Sequence, residues 1–170
     1  MTDDTNKRLA AIQRKVNASL KDPGWFVFSV FASPEERFPA FAYTLGLSLN
    51  FGHPELCMTG LPADVIGSIV NDAAKKIAAK HATYDAGSTV PANMLVADRP
   101  LQIRAVRADA AREHFIQAKN ILGYEPEFVQ LVWPDPNGHF PGTPEWDTRY
   151  DVAQPDLWTP VRSKPGPRLH

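Results

Sequence analysis

The sequence predicts an α+β fold: a mixed, mainly antiparallel sheet with about three helices packed on it, in a single domain. Three observations carry this. Apolar residues recur at helical spacing in three separate stretches, and between them lie apolar runs too short for helices and bounded by Gly, Pro, Asp or Asn. Successive strands are joined by short turns, which favours antiparallel pairing, whereas strict alternation of strand and helix would favour a doubly wound sheet.

Taken in order, Leu9, Ile12, Val16 and Leu20 form an amphipathic stripe that Asp4 or Thr5 can cap and that Asp22-Pro23-Gly24 stops. Residues 25–31 are a dense aromatic and β-branched run, read as a buried strand. Residues 41–47 read as a second strand, with Phe41, Tyr43 and Leu45 on one face, and 55–60 as a third. Ile66, Ile69, Val70, Ala73 and Ile77 mark the second helix, with Lys75, Lys76 and Lys80 in its C-terminal turns, where cations suit the macrodipole. Residues 94–97 and 103–106 are expected strands around Asp98-Arg99-Pro100. Ala111, Phe115, Ala118 and Leu122 mark a third helix, capped by Asp109 and ended by Gly123. Residues 128–133 supply the last strand, and recurrent proline from Pro134 onward disfavours regular structure. Residues 41–47 and 128–133, apolar on both faces, are expected at the centre of the sheet.

The expected organisation is an N-terminal amphipathic helix packed on the domain (1–23), the α+β domain itself (24–158) and a flexible Pro-rich tail (159–170), whose few apolar groups cannot offset its ordering entropy. A chain of 170 residues buries roughly two thirds of its unfolded surface, so it needs no disulfide or metal for stability. A net charge of -1 supplies no electrostatic footprint for nucleic acid or anionic membrane. The single cysteine, Cys57, excludes an internal disulfide and fits a reducing interior. With no leader-like start and no run of roughly 18 apolar residues, the expectation is a soluble cytoplasmic protein.

Gly24-Trp25, Phe41-Ala42-Tyr43-Thr44-Leu45-Gly46-Leu47, Gly52-His53-Pro54-Glu55-Leu56, Trp133-Pro134-Asp135, Gly138-His139-Phe140-Pro141 and Gln154-Pro155 together resemble the bacterial domain-of-unknown-function family DUF4262. The resemblance spans residues 24–157. It implies a bacterial single-domain protein and brings no established catalytic residue with it.

Two polar turns interrupt the apolar strands. His53, Glu55 and Cys57 alternate, so an imidazole, a carboxylate and a thiol project from one face if the strand begins at His53. The structural alternative is a turn whose carboxylate caps nearby amides, with Cys57 buried between Leu56 and Met58. Asp135 and His139 share a turn with Asn137 and Gly138, where Asp accepts amide bonds two residues on or, in a functional reading, orients a histidine base.

The candidate site accordingly assigns His53, Glu55, Asp135 and His139 as catalytic, with Tyr43, Thr44 and Asn137 binding ligand; it requires the two turns to converge. The ligand class is a small or nucleotide-like molecule, with hydrolysis as its chemistry. The rival reading is a protein interaction module without catalysis. No cofactor is expected, and no structural metal, because neither a His-Glu-x-x-His nor a paired Cys-x-x-Cys occurs; nor does a glycine-rich phosphate loop. Trp146 and Trp158 lie in irregular chain and are read as anchors folding it back on the sheet.

Overall fold

Every residue of Phe41–Leu45 is buried, and so is every residue of Phe128–Val132, which requires a sheet covered on both faces. The computed structural model describes residues 3–159 apart from 34 and 36. Its elements are α1 (Asp3–Lys21), β1 (Phe26–Val30), β2 (Phe41–Leu45), α2 (Leu47–Asn50), β3 (Glu55–Thr59), α3 (Ala63–Lys80), β4 (Thr89–Val90), β5 (Leu101–Ala105), α4 (Ala108–His114), α5 (Gln117–Leu122) and β6 (Phe128–Val132), followed by a 3-10 turn at Thr148–Tyr150.

The six strands form one sheet in the order β1-β2-β3-β6-β5-β4. Four of the five pairings are antiparallel; β3 and β6 alone run parallel, with Glu55 beside Phe128 and Cys57 beside Gln130. The α+β reading holds, with β2 and β6 both interior. One face packs Ala42, Leu56, Met58, Leu101, Ile103, Val129 and Leu131 against the α3 stripe of Ile66, Ile69, Val70, Ala73 and Ile77. The other packs Phe41, Tyr43, Leu45, Cys57 and Phe128 against Ala110, Phe115 and Ala118 from α4 and α5, with Leu157.

Three local expectations fail for identifiable reasons. Residues 94–97 are not a strand: Val96 N–H donates to the Asp72 carboxylate at 2.9 Å and the Met94 carbonyl accepts from Lys76, so α3 side chains occupy the backbone groups a ladder would need. The strand beside β5 is instead the two-residue β4. The third helix is broken into α4 and α5 where Phe115 leaves helical geometry (φ −105°, ψ 56°), its ring lying 5.0 Å from Tyr43 and 4.6 Å from Phe128. Asp109 does not cap α4, whose cap residue is Arg107; the two side chains pair at 3.3 Å.

On α1 the predicted stripe packs only at its end. Val16 is buried and Leu20 half-buried, while Leu9 and Ile12 are 53% and 50% exposed. No helix among the described residues is long and apolar enough to cross a membrane. The expected tail, beyond Thr159, lies outside the described residues.

After β6 the chain returns across the end of the sheet. Trp133 Nε1 donates to the Thr59 carbonyl at 2.7 Å, and the buried Gln154 clamps the Trp133 backbone, accepting from its N–H at 3.0 Å and donating to its C=O at 2.9 Å. Gly60 (φ +89°) allows this approach, because a Cβ there would collide with the Ala153 carbonyl. Trp146 is anchored against Trp133 and Tyr150, its Nε1 donating to Asp151 at 2.7 Å.

Candidate functional site

The first polar turn leads into β3. Glu55, the first residue of that strand, is fully buried, and both carboxylate oxygens are occupied. Oε1 accepts from Thr44 Oγ1 at 2.9 Å and Leu47 N at 3.1 Å. Oε2 accepts from Gly46 N at 3.1 Å, Ser48 N at 3.0 Å and Ser48 Oγ at 2.6 Å. Successive N–H groups at the start of α2 thus form a nest around an internal anion. Gly46 (φ +124°) makes the nest: a side chain there would press on the Gly24 carbonyl and come within 2.8 Å of Trp25 Cα. With every favourable direction taken, Glu55 ties β2 to β3 and has no lone pair to offer a substrate.

His53 is held just as firmly. Its Nε2 accepts from Tyr84 N at 2.9 Å, so the proton sits on Nδ1, which lies 2.7 Å from the Pro54 carbonyl. Cys57 is completely buried, and burial pushes its thiol far above the ordinary range, away from thiolate chemistry. Tyr43 is equally enclosed, stacked on Phe28 at 5.2 Å, and burial raises its phenol to about 12 against a weaker opposing effect of the Gln117 backbone.

The second turn is organised by Asp135, also buried. Its Oδ1 accepts from the N–H groups of Asn137 and His139, both at 2.9 Å, and its Oδ2 accepts from Asp147 N at 3.0 Å. Burial works to raise this carboxyl, but the three backbone donors and the nearby His139 outweigh it and hold it below the usual carboxylate range. His139 Nδ1 stands 3.8 Å from Asp135 Oδ1, beyond hydrogen-bond distance, and is buried without a partner. Asn137 enters through its backbone.

The structure does not bring the two turns together. Since β3 and β6 are parallel, Glu55 lies beside the first residue of β6, whereas Asp135 follows its last. At about 3.3 Å per residue, the steps from Phe128 to Val132 alone separate them by roughly 13 Å. The composite of His53, Glu55, Asp135 and His139, with Tyr43, Thr44 and Asn137 alongside, is therefore two separate turns, one at each end of the sheet.

Each end adjoins a cavity. Near the first turn, a cavity of about 850 Å³ is lined by Phe115, Phe128 and Val129 together with Arg112, Lys119 and Glu127; Arg112 is paired with Glu125 at 3.3 Å. Near the second, a cavity of about 700 Å³ lies on the α3 face, walled by Trp133, Tyr150, Met58, Ile69 and Leu95 and reached by Arg99 and Asp135. Arg99 Nη1 donates to the Pro136 carbonyl at 3.0 Å, leaving Nε and Nη2 without partners among the described residues. The carboxyl ends of the parallel strands open here, where open α/β sheets commonly place ligands. No three His, Cys, Asp or Glu side chains group as metal donors among the described residues.

Sequence reasoning missed Arg99 and Tyr150 because nothing local marks either as lining a cavity; Trp133 is a buried core residue that also lines it. The profile of a family described as a domain of unknown function, DUF4262, matches residues 19–147. No curated protein and no solved structure matches the chain significantly.

Proposed function

We propose, on the premise that the chain belongs to the DUF4262 family, that it binds a small nucleotide-like ligand, a planar ring carrying an anionic group, in the 700 Å³ cavity beside Asp135. The observation that carries this is the pairing of an aromatic wall, Trp133 with Tyr150 at 5.9 Å, with the Arg99 guanidinium at the rim. The volume suits one small molecule, the ring faces offer stacking, and a guanidinium with unused donors suits a carboxylate or phosphate. The larger cavity is the weaker candidate because its arginine is already neutralised by Glu125, and only Pro54 of the segments that carry the family resemblance lines it. By contrast, Trp133, Pro134 and Asp135 all line the smaller one.

The same observations favour binding over hydrolysis. A general base needs a lone pair within reach of substrate: those of Glu55 and His53 are spent on the fold, Asp135 is buried with three backbone N–H groups on its carboxylate, and His139 is not among the residues that line the cavity. The fully buried free thiol of Cys57 suits the reducing cytoplasm of a bacterium, the source that the family resemblance implies. The interaction-module reading draws on a different feature, the exposed Val30 and Phe31 at the end of edge strand β1.

The test is titration calorimetry with nucleoside monophosphates on the unmodified chain, Arg99→Gln and Val65→Trp, the last placing an indole in the cavity from a partly exposed position on α3. Saturable binding should weaken about tenfold or more in Arg99→Gln, the scale of a lost charged hydrogen bond, and vanish in Val65→Trp. Absence of binding, or equal binding by all three proteins, rejects the reading.

A further inference from the structure

Within β6, Gln130 is the one polar residue in the run Phe128-Val129-Gln130-Leu131-Val132. It is completely buried, and neither its Oε1 nor its Nε2 has a hydrogen-bond partner; the buried Thr59 Oγ1 is also unpartnered. A buried amide left unpaired at both ends costs more than most single contacts return, so the position calls for a complementary group.

The register shows what surrounds it. Gln130 lies beside Cys57 of β3 and directly opposite Arg104 of β5, and Thr59 is two residues beyond Cys57, so all of these share the face away from α3. Gln130 and Arg104, directly opposed across an antiparallel pair, have side chains that start about 5 Å apart. Arg104 is half-buried. Its Nε and Nη2 donate to Gln102 Oε1 at 3.2 and 2.6 Å, and Nη2 donates to the Pro141 carbonyl at 2.8 Å; its Nη1 has no partner among the described residues. Asp156 acts on this guanidinium through space, while its Oδ1 is engaged by Arg107 at 3.9 Å and by the N–H groups of Trp158 and Thr159.

We propose that Arg104, Gln130 and Thr59 form a binding site for a small carboxylate bearing one further hydrogen-bond donor, a hydroxy acid in the simplest case. Arg104 Nη1, Gln130 Nε2 and Thr59 Oγ1 supply donors to the carboxylate, and Gln130 Oε1 accepts from the ligand's hydroxyl. Because Gln130 must both give and receive, a simple carboxylate satisfies it only in part. The site lies across the sheet from the cavity beside Asp135 and is independent of it. Trp158 stacks over the Arg104 guanidinium at 4.6 Å, so entry requires that ring to swing aside.

The experiment is calorimetry on the full chain with glycolate, with acetate, and with sodium chloride as the ionic-strength control, for the unmodified protein, Gln130→Leu and Arg104→Lys. Glycolate should bind saturably at one site, acetate about tenfold more weakly, and chloride without saturation. Gln130→Leu should retain the circular-dichroism spectrum and lose glycolate binding, and Arg104→Lys should weaken it. Should Gln130→Leu not fold, Thr59→Val replaces it, with weakened glycolate binding expected. The proposal is overturned if glycolate does not bind the unmodified chain, if acetate binds as well as glycolate, or if the variants bind glycolate unchanged. A crystal structure grown in glycolate with only water between Gln130 and Thr59 overturns it too.

Discussion

Thr44 stands between two parts of β3: its hydroxyl donates to the Glu55 carboxylate at 2.9 Å while accepting the Leu56 N–H at 2.9 Å. One side chain therefore fixes both the buried anion and the backbone next to it. Glu55→Gln replaces an acceptor by an NH2 group facing donors, and should cost roughly 2–4 kcal/mol in urea denaturation through the buried bonds it breaks. A variant as stable as the unmodified protein would show that the nest of N–H groups does not depend on the charge.

At the other end of the sheet, Asp135→Ala should lower the melting temperature clearly, since three backbone N–H groups lose their acceptor at once. His139→Ala should change stability by no more than about 0.5 kcal/mol, because its ring accepts and donates nothing within hydrogen-bond distance of Asp135. The reverse order in thermal melts would return His139 to an organising role.

Truncation on the two helices should separate packed from overhanging apolar residues. Ile69→Ala, in the centre of the core, is expected to cost roughly 2–4 kcal/mol, and Leu9→Ala, half-exposed on α1, about 0.5 kcal/mol or less. Equal losses in chemical denaturation would place the start of α1 in the core.

Acid should unfold the C-terminal turns early. At Asp147 the hydrogen bond from Arg149 is the leading cause of a lowered pKa; at Asp135 and Asp156 burial opposes ionisation and is outweighed by N–H and hydroxyl donors. All three carboxyls titrate below the ordinary 3.8 in the folded chain, so in that window the unfolded state binds more protons. Their stabilisation is complete above about pH 4 and is lost as the pH falls through the folded values. Melting temperatures recorded from pH 5 downward should decline below about pH 4, and Asp135→Asn should decline less steeply; parallel curves would exclude Asp135 as a contributor.

Much of the sheet was legible because burial on both faces leaves a mark in sequence: 41–47 and 128–133 lack a polar side and are interior strands. The α3 stripe was legible from its period. The break at Phe115 was not, because Ala111, Phe115, Ala118 and Leu122 keep helical spacing across it and only the aromatic cluster around Tyr43 shows why the chain turns. The site was least legible. In an antiparallel pair, the start of β3 would lie beside the end of β6, and Glu55 would approach Asp135. The single parallel pairing reverses this, and strand direction leaves no local trace. Gln130 was passed over for the same reason that the strand was legible: 128–133 reads as apolar on both faces, and one polar residue does not alter that pattern.

The Gln154 clamp on Trp133 bears on where this domain ends. The family match stops at residue 147, yet the side chain that completes the hydrogen bonding of the residue after β6 arrives seven residues later, and Leu157 follows it into the second core. A chain cut at the edge of the sequence match would bury an unsatisfied peptide group at Trp133 and uncover the aromatic layer beneath Leu157. The packing of this domain therefore runs past the end of the family match, and any shortened version for expression should keep the chain through Leu157.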